Sequence, residues 1–118
     1  MSINSFYRGD TKTYKFTFTD SDSVAVDCTG WTIWFTLKED ETDLDAAAVL
    51  QVSTTAGDVA DDDPTNGIMY LVVPATSTDS ITPAKYYYDF QRVTSDGSIT
   101  TLDSGRVTVK YDITRSII

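Results

Sequence analysis

The side chains that could do chemistry are mostly carboxylates, because the chain has 18 aspartates and glutamates, a single cysteine and no histidine. A serine, cysteine or metal hydrolase needs a base to activate its nucleophile, and histidine is the usual one. A pair of carboxylates can cleave glycosides, and Asp89 with Asp103 is one conceivable pair. The alternation around Asp89 places it on the outside of a sheet without an evident cleft, so we predict no catalytic residue and no enzyme.

The sequence also lacks the residues that metal binding or thiol chemistry would need beside Cys28. Cys28 has no second cysteine or histidine to share a zinc ion, and we predict that it is a small buried hydrophobic residue. Asp20 and Asp22 have a spacing found in calcium loops, but the glycine and the distal glutamate of such a loop are missing. We therefore predict no metal site and no cofactor, and a polar turn over Asp20–Ser23.

Three features bear on recognition of a ligand. Arg8–Asp10 spells the tripeptide Arg-Gly-Asp that some adhesion receptors read, although here it directly precedes a strand pattern. Trp34 and Tyr87 are aromatic residues on strand faces expected to be wetter. A loop around Leu44 or a partner would cover Trp34. These features define one alternative function, a carbohydrate-binding or adhesive module.

The net charge of −9 would repel a phosphate backbone, so we predict no nucleic-acid partner. No apolar run approaches the roughly 18 residues that span a bilayer, which predicts no membrane insertion. The N-terminus lacks the basic start and apolar stretch of a secretory signal, so we expect synthesis in the cytoplasm from its own initiator methionine. The acidic clusters Asp61–Asp63 and 40–45 are expected to be solvated surface loops.

The elements that must position these side chains are strands, because apolar residues recur with a period of two along most of the chain. Aromatic and aliphatic residues alternate with polar ones in Thr11–Thr19, Val24–Cys28 and Trp31–Lys38. Further extended patterns cover Val49–Val52 and Ile68–Val73. Both faces of Ile68–Val73 are apolar, which predicts burial on both sides or a covering segment over one of them.

The clearest signal is Ile81–Asp112, in which two strand patterns flank a turn at Ser95–Ser98. Gly97 can take a positive φ there, so the chain can reverse directly. Tyr86, Tyr88 and Phe90 alternate with Tyr87, Asp89 and Gln91, and we predict that the first set faces the core. Val107 and Val109 give the returning strand its inward side.

These patterns predict seven to nine short strands with turn signals roughly every 8 to 12 residues, which is typical of an immunoglobulin-like antiparallel β-sandwich. We assign residues 1–118 to one such all-β domain, with a short helical turn near residues 42–48. Pro83 followed by Tyr86 or Tyr87 suggests the tyrosine corner of Greek-key sandwiches. Alternation favours Tyr86 as the corner residue, and the spacing from Pro83 favours Tyr87.

Four phrases together resemble a known family: RGDTKTYKFTFTDSD, VDCTGWTIWFTLKEDETDLDAA, NGIMYLVVP and KYYYDFQRVTSDGSITTLDSGRVTVKYDIT. They are similar to the immunoglobulin-like N-terminal domain of baseplate upper proteins of tailed bacteriophages, and to small phage structural proteins of the same kind. The resemblance runs from Tyr7 to about Thr114.

The resemblance implies a non-enzymatic virion protein, made in the host bacterial cytoplasm, that acts as an attachment or adaptor module in the baseplate or tail. It implies other virion proteins as partners, and a second copy of this chain in a homo-oligomer. The sequence shows no fibre-like pattern between the domain and Ile118, so a capsid decoration protein is an alternative expectation. The expected contact surfaces are Ser2–Tyr7, Glu39–Ala48 and Thr114–Ile118, since uncovered edges and termini can add another chain.

Overall fold

Seven β-strands make up most of the computed structural model, which describes residues 3, 5–40, 42, 47–55, 59 and 62–111. The strands are β1 (Ser5–Tyr7), β2 (Lys12–Thr17), β3 (Thr32–Lys38), β4 (Leu50–Thr55), β5 (Ile68–Val73), β6 (Ala84–Val93) and β7 (Ile99–Lys110). A 3-10 turn at Pro64–Asn66 precedes β5, and a four-residue helix, α1 (Ala75–Thr78), follows it. In the described ranges, no helix is long and apolar enough to cross a membrane.

The strands form two sheets. The larger has the order β1-β7-β6-β3-β4, with β1 parallel to β7 and the other neighbours antiparallel, and the smaller pairs β2 with β5. Sequence-distant strands β3 and β6 lie side by side at the centre, as the C and F strands do in an immunoglobulin-like sandwich. The predicted fold class, an immunoglobulin-like all-β sandwich of seven to nine strands, is confirmed, with seven strands in the described residues.

The core lies between the two sheets and is largely aromatic. Phe90 of β6 stacks on Phe35 of β3 with 4.7 Å between ring centroids. From the opposite sheet, Tyr14 and Phe16 of β2 approach the Phe90 ring edge-on at 5.2 and 5.3 Å. Offset and edge-on pairs are the favourable geometries for aromatic rings, so these contacts hold the two layers together. Tyr88, which was predicted to face inward, is also buried here.

The two apolar faces of β5 have different environments. Met69, Leu71 and Val73 are fully buried in the core, whereas Val72 on the other face is 37% exposed. Tyr70 on that outer face is partly covered by Lys15, whose Nζ lies 6.0 Å from the ring centroid. One face of β5 is therefore buried, and the other is only partly covered.

The strand predicted for Val24–Cys28 is wrong. The carboxylate of Asp20 accepts hydrogen bonds from the backbone N–H groups of Asp22 and Val24, which turns the chain and leaves Val24 59% exposed. The N–H of Cys28 then donates to the carbonyl of Pro64 at 2.9 Å. Only an isolated bridge forms here, from Thr19 to Ala25. Side-chain capping and contact with a distant turn replace a regular ladder.

Tyr86 is the corner tyrosine, because its hydroxyl donates to the backbone carbonyl of Thr82 and its side chain is buried. Cys28 is fully buried, as predicted, and its thiol donates weakly to the Pro64 carbonyl. Burial raises the pKa of this thiol, which disfavours the reactive thiolate.

Two predicted features fall on positions outside the described residues. The first is the helical turn near residues 42–48, because residues 43–46, which include Leu44, are not described. The second is the tail Thr114–Ile118, which follows the last described residue. In the N-terminal segment, Ser5–Tyr7 is built into the larger sheet as β1. Phe6 of this strand is buried, so β1 is part of the domain and is not a free arm.

Candidate functional site

The outer face of the five-stranded sheet, meaning the side turned away from β2 and β5, carries a mixed aromatic and polar surface. Alternation along β3 places Trp34, Thr36 and Lys38 on this face, because Ile33, Phe35 and Leu37 are buried on the other. On β6 the same rule places Tyr87, Asp89, Gln91 and Val93 outward. The outward positions predicted for Tyr87, Asp89 and Gln91 are confirmed.

Strand register arranges these side chains in rows across the sheet, since directly paired residues share a face. In the first row Trp34 pairs with Ser53 of β4 and Gln91 of β6. The second row pairs Thr36 with Gln51 and Asp89, and Asp89 with Ser104. The third row pairs Tyr87 with Lys38 and Arg106.

A groove lies over these rows. Its volume of about 570 Å³ is within the usual range of ligand sites. Its lining residues are Trp34, Thr36, Lys38, Gln51, Tyr87, Tyr88, Asp89, Gln91, Val93, Ile99, Ser104, Gly105 and Arg106. We call this depression the outer groove.

The apolar surface of the outer groove lies at its first-row end. Trp34 is 36% exposed, and Ile99 at the start of β7 is 65% exposed. Ile99 pairs with Val93, so the two side chains lie together beside Gln91 on the outer face. The Leu44 loop that was predicted as a cover for Trp34 lies outside the described residues, so that prediction stays open.

The polar end of the outer groove is organised by an arginine on an aromatic ring. The guanidinium of Arg106 lies 4.0 Å from the centroid of the Tyr87 ring, close enough for a cation–π interaction. Stacking on one face leaves the N–H groups at the rim of the guanidinium directed sideways, where they can donate to a ligand. Across the second row, the Gln51 amide donates to the Thr36 hydroxyl at 3.3 Å, which fixes the amide on the floor of the groove.

The conceivable catalytic pair Asp89 and Asp103 does not come together. Asp89 faces the outer groove, whereas Asp103 pairs with the inward residue Phe90 and accepts a hydrogen bond of 2.8 Å from the Tyr88 hydroxyl. Burial of Tyr88, aided by this neighbouring carboxylate, raises the pKa of the phenol. The two carboxylates lie on opposite faces of the sheet and cannot act on one glycosidic bond.

The Arg-Gly-Asp tripeptide is tied to the body of the domain. The N–H of Arg8 donates to the carbonyl of Lys110, and the N–H of Gly9 donates to the Thr78 hydroxyl at 3.0 Å. The same hydroxyl donates to the Asp10 carbonyl. These contacts hold the segment against α1 and β7 in a bend, with Gly9 at a φ of 85°. It is not a protruding loop.

The acidic segment Asp61–Asp63 was predicted to be a solvated surface loop; Asp61 lies outside the described residues, Asp63 is exposed, and Asp62 is bonded to backbone groups. The carboxylate of Asp62 accepts the N–H of Tyr70 at 2.7 Å and the N–H of Val59 at 3.1 Å. These bonds tie Asp62 to Val59 and to Tyr70 of β5, and Asp62 is half-buried. In the described part of the chain, no group of three or more histidine, cysteine, aspartate or glutamate side chains could hold a metal ion.

Sequence reasoning missed Arg106, Gln51 and Ile99 as members of the site. Each lies on a strand whose alternation is readable, but only the cross-strand register shows that Arg106 meets Tyr87 and that Gln51 meets Thr36. The sequences of β4 and β7 alone do not indicate that their polar residues belong to a binding site.

No protein-family model matches this chain, and a search of curated proteins finds no match.

Proposed function

We propose that this chain is a bacteriophage virion structural protein, a non-enzymatic attachment or adaptor module that assembles by protein–protein contacts in the baseplate or tail. Support comes from the four sequence phrases that resemble the baseplate upper protein family. The structural observation that supports assembly by contact is the edge of the larger sheet at β4, to which no described strand is hydrogen-bonded.

β4 pairs with β3 on one side, and among the described residues no strand is hydrogen-bonded to its other edge. Its sequence, Leu50–Thr55, has neither a charged residue nor a proline, although 23% of the whole chain is charged. Edge strands that must stay unpaired usually carry such residues, because exposed N–H and C=O groups otherwise attract another strand. β4 lacks that protection.

The edges of the smaller sheet differ from β4. β2 carries Lys12 and Lys15, and charged residues discourage the pairing of another strand along an edge. On β5, the N–H of Tyr70 is already satisfied by the carboxylate of Asp62. The other edge of the larger sheet, β1, also has no charged residue or proline, but it is only three residues long, and a very short edge strand offers few groups for pairing. β4 is therefore the edge best suited to accept a strand from another virion protein or from a second copy of this chain.

Mass spectrometry of purified phage particles tests the virion assignment. The proposal predicts that the chain is found in particles at a fixed stoichiometry to the other tail or baseplate proteins. A protein that is abundant in infected cells and never found in purified particles would contradict it.

Hydrogen exchange tests the contact surface. Backbone amides of Leu50–Thr55 that exchange readily in the free protein should become at least about tenfold more protected in the assembled state, because hydrogen-bonded amides exchange only on opening. A lysine at the edge, Ser53→Lys, should reduce incorporation into particles. The matched control Thr13→Lys adds the same charge to β2 and should incorporate normally. Equal incorporation of both variants, with unchanged exchange at β4, would remove this edge from the account.

A further inference from the structure

The outer groove has two ends of different chemistry on one rigid sheet. Trp34, Val93 and Ile99 form the apolar end, while Asp89 and Arg106 lie toward the polar end. All of these residues are on the strands β3, β6 and β7, and cross-strand pairing holds them in fixed positions. Sites built on strands keep their geometry better than sites on loops.

The apolar end suits a flat molecule with one hydrophobic face. An exposed tryptophan ring offers a broad, rigid surface of low conformational-entropy cost. The C–H groups on the face of a pyranose ring match such a surface, while the ring hydroxyls point outward toward polar neighbours. Gln91 lies directly beside Trp34 in the first row and is placed to meet those hydroxyls.

The remaining polar side chains offer both hydrogen-bond donors and acceptors, as a ligand with many hydroxyl groups requires. A hydroxyl both donates and accepts, so a hydroxyl-rich ligand needs donors and acceptors side by side. Asp89 supplies acceptor oxygens, Arg106 supplies N–H donors, and Gln51 and Gln91 supply both. Lys38 and Arg106 are the two cations among the lining residues and Asp89 is the one acid, which leaves the groove close to neutral in a chain of net charge −9.

The length of the groove sets the size of the ligand. Trp34 and Arg106 are four residues apart along the strands and two strands apart across them. With a rise of about 3.3 Å per residue and about 4.8 Å between strands, their Cα atoms are about 16 Å apart. That span is too long for one sugar ring and fits a short oligosaccharide.

We propose that the outer groove binds a short neutral oligosaccharide, with one sugar ring stacked on Trp34 and the hydroxyls of the following units bonded to Asp89 and Arg106. This inference goes beyond the proposed assembly function and uses a different surface, since assembly was assigned to the β4 backbone edge.

An array of neutral and uronic-acid oligosaccharides probed with the whole chain tests this inference. We expect binding to neutral members of three or more units, followed by calorimetric titration of maltotetraose, cellotetraose or the N-acetylglucosamine tetramer, whichever binds. Trp34→Ala should weaken that binding about tenfold or more, since an aromatic contact of about 1.4 kcal/mol corresponds to a factor of ten. Asp89→Asn should weaken it by a similar factor, because hydrogen bonds to a charged group are stronger than neutral ones.

The matched control is Tyr70→Ala, which removes an aromatic side chain from the outer surface of the opposite sheet and should leave affinity unchanged. Should Trp34→Ala fold poorly, the wild-type protein still gives a readout, because the indole N–H resonance of Trp34 and the amide resonances of Gln51 and Gln91 should shift on titration. Binding to no neutral oligosaccharide, binding only to acidic ones, or equal loss in Tyr70→Ala would each overturn the inference.

Discussion

The two faces of β3 and β6 have opposite environments although they share the same backbone. On the inner face, Phe35 and Phe90 are fully buried and stacked on each other. On the outer face, one residue away along each strand, Trp34 is 36% exposed and Gln91 is half-buried. Alternation with a period of two is all that separates a core residue from a surface residue here.

Because of this contrast, side chains of the outer face can change without loss of the fold. The inner face contributes apolar burial and aromatic contacts between the sheets, which are the main stabilising terms for such a domain. The outer face makes few contacts that the fold requires, so its side chains are open to selection for binding. The comparison predicts large stability effects on one face and binding effects on the other.

The largest effect is expected in the core. Phe90→Ala should lower the free energy of unfolding by about 3 to 5 kcal/mol, because it removes a large side chain that four other aromatic rings contact. The adjacent outer-face variant Gln91→Ala should change it by less than about 0.5 kcal/mol. Urea unfolding measures both free energies, and similar losses of stability in the two variants would show that the two faces do not differ in their contribution to the fold.

A smaller effect is expected from a buried glycine. Gly67 has a φ of 75°, and an added Cβ would overlap the Phe18 carbonyl oxygen and lie 2.8 Å from that of Val26. Gly67→Ala should therefore cost about 3 kcal/mol, from overpacking and left-handed backbone strain together. Gly97 has a φ of 91°, and an added Cβ there would meet no other atom. Gly97→Ala should therefore lower the free energy of unfolding by about 1 to 2 kcal/mol, from backbone strain alone. Thermal unfolding of both variants tests which one is less stable, and a larger loss of stability in Gly97→Ala than in Gly67→Ala would contradict this prediction.

Neighbouring tyrosines give the next test. Tyr86→Phe removes the hydrogen bond to the Thr82 carbonyl in the corner and should destabilise the protein by about 1 kcal/mol. Tyr87→Phe keeps the ring under Arg106 and should leave stability unchanged. Equal effects of the two hydroxyls on the unfolding midpoint would show that the corner bond does not contribute.

Alkaline pH should produce the most gradual change. Burial raises the pKa of Tyr14, Tyr86 and Tyr88 above the ordinary 10.0 in the folded protein. The folded state then holds more protons than the unfolded state once the pH passes about 10, so stability is complete below that pH and is lost as the pH rises through the folded values.

Unfolding measured from about pH 8 to about pH 11 should show this loss, and high salt should not remove it, because desolvation rather than charge is the main cause. A free energy of unfolding that stays constant or rises over this range would contradict the assignment of these three phenols to the core.

How much of this could be predicted from the sequence depends on the range of the interaction. Alternation is local, and it correctly placed Tyr86, Tyr88 and Phe90 inward and Asp89 outward. It failed at Val24, where the Asp20 carboxylate captures backbone N–H groups and a turn replaces the strand. A period of two cannot detect competition from a side chain that caps the backbone.

The candidate site was harder to predict because it depends on register. Arg106 faces Tyr87 only because β6 and β7 pair with a shift between Phe90 and Gln91, where Leu102 is the extra residue of a bulge. Neither strand sequence encodes that pairing by itself. Asp62 was missed for a related reason, since its partner Tyr70 is eight residues away across a turn.

The most direct test of the central claim, that one face of the sheet folds the protein and the other binds, is a triple variant of the outer groove. We expect Trp34→Ser, Tyr87→Ser and Arg106→Ser combined to lose oligosaccharide binding while the free energy of unfolding falls by no more than about 1.5 kcal/mol. A triple variant that fails to fold, or one that folds and binds as the wild type does, would contradict the account.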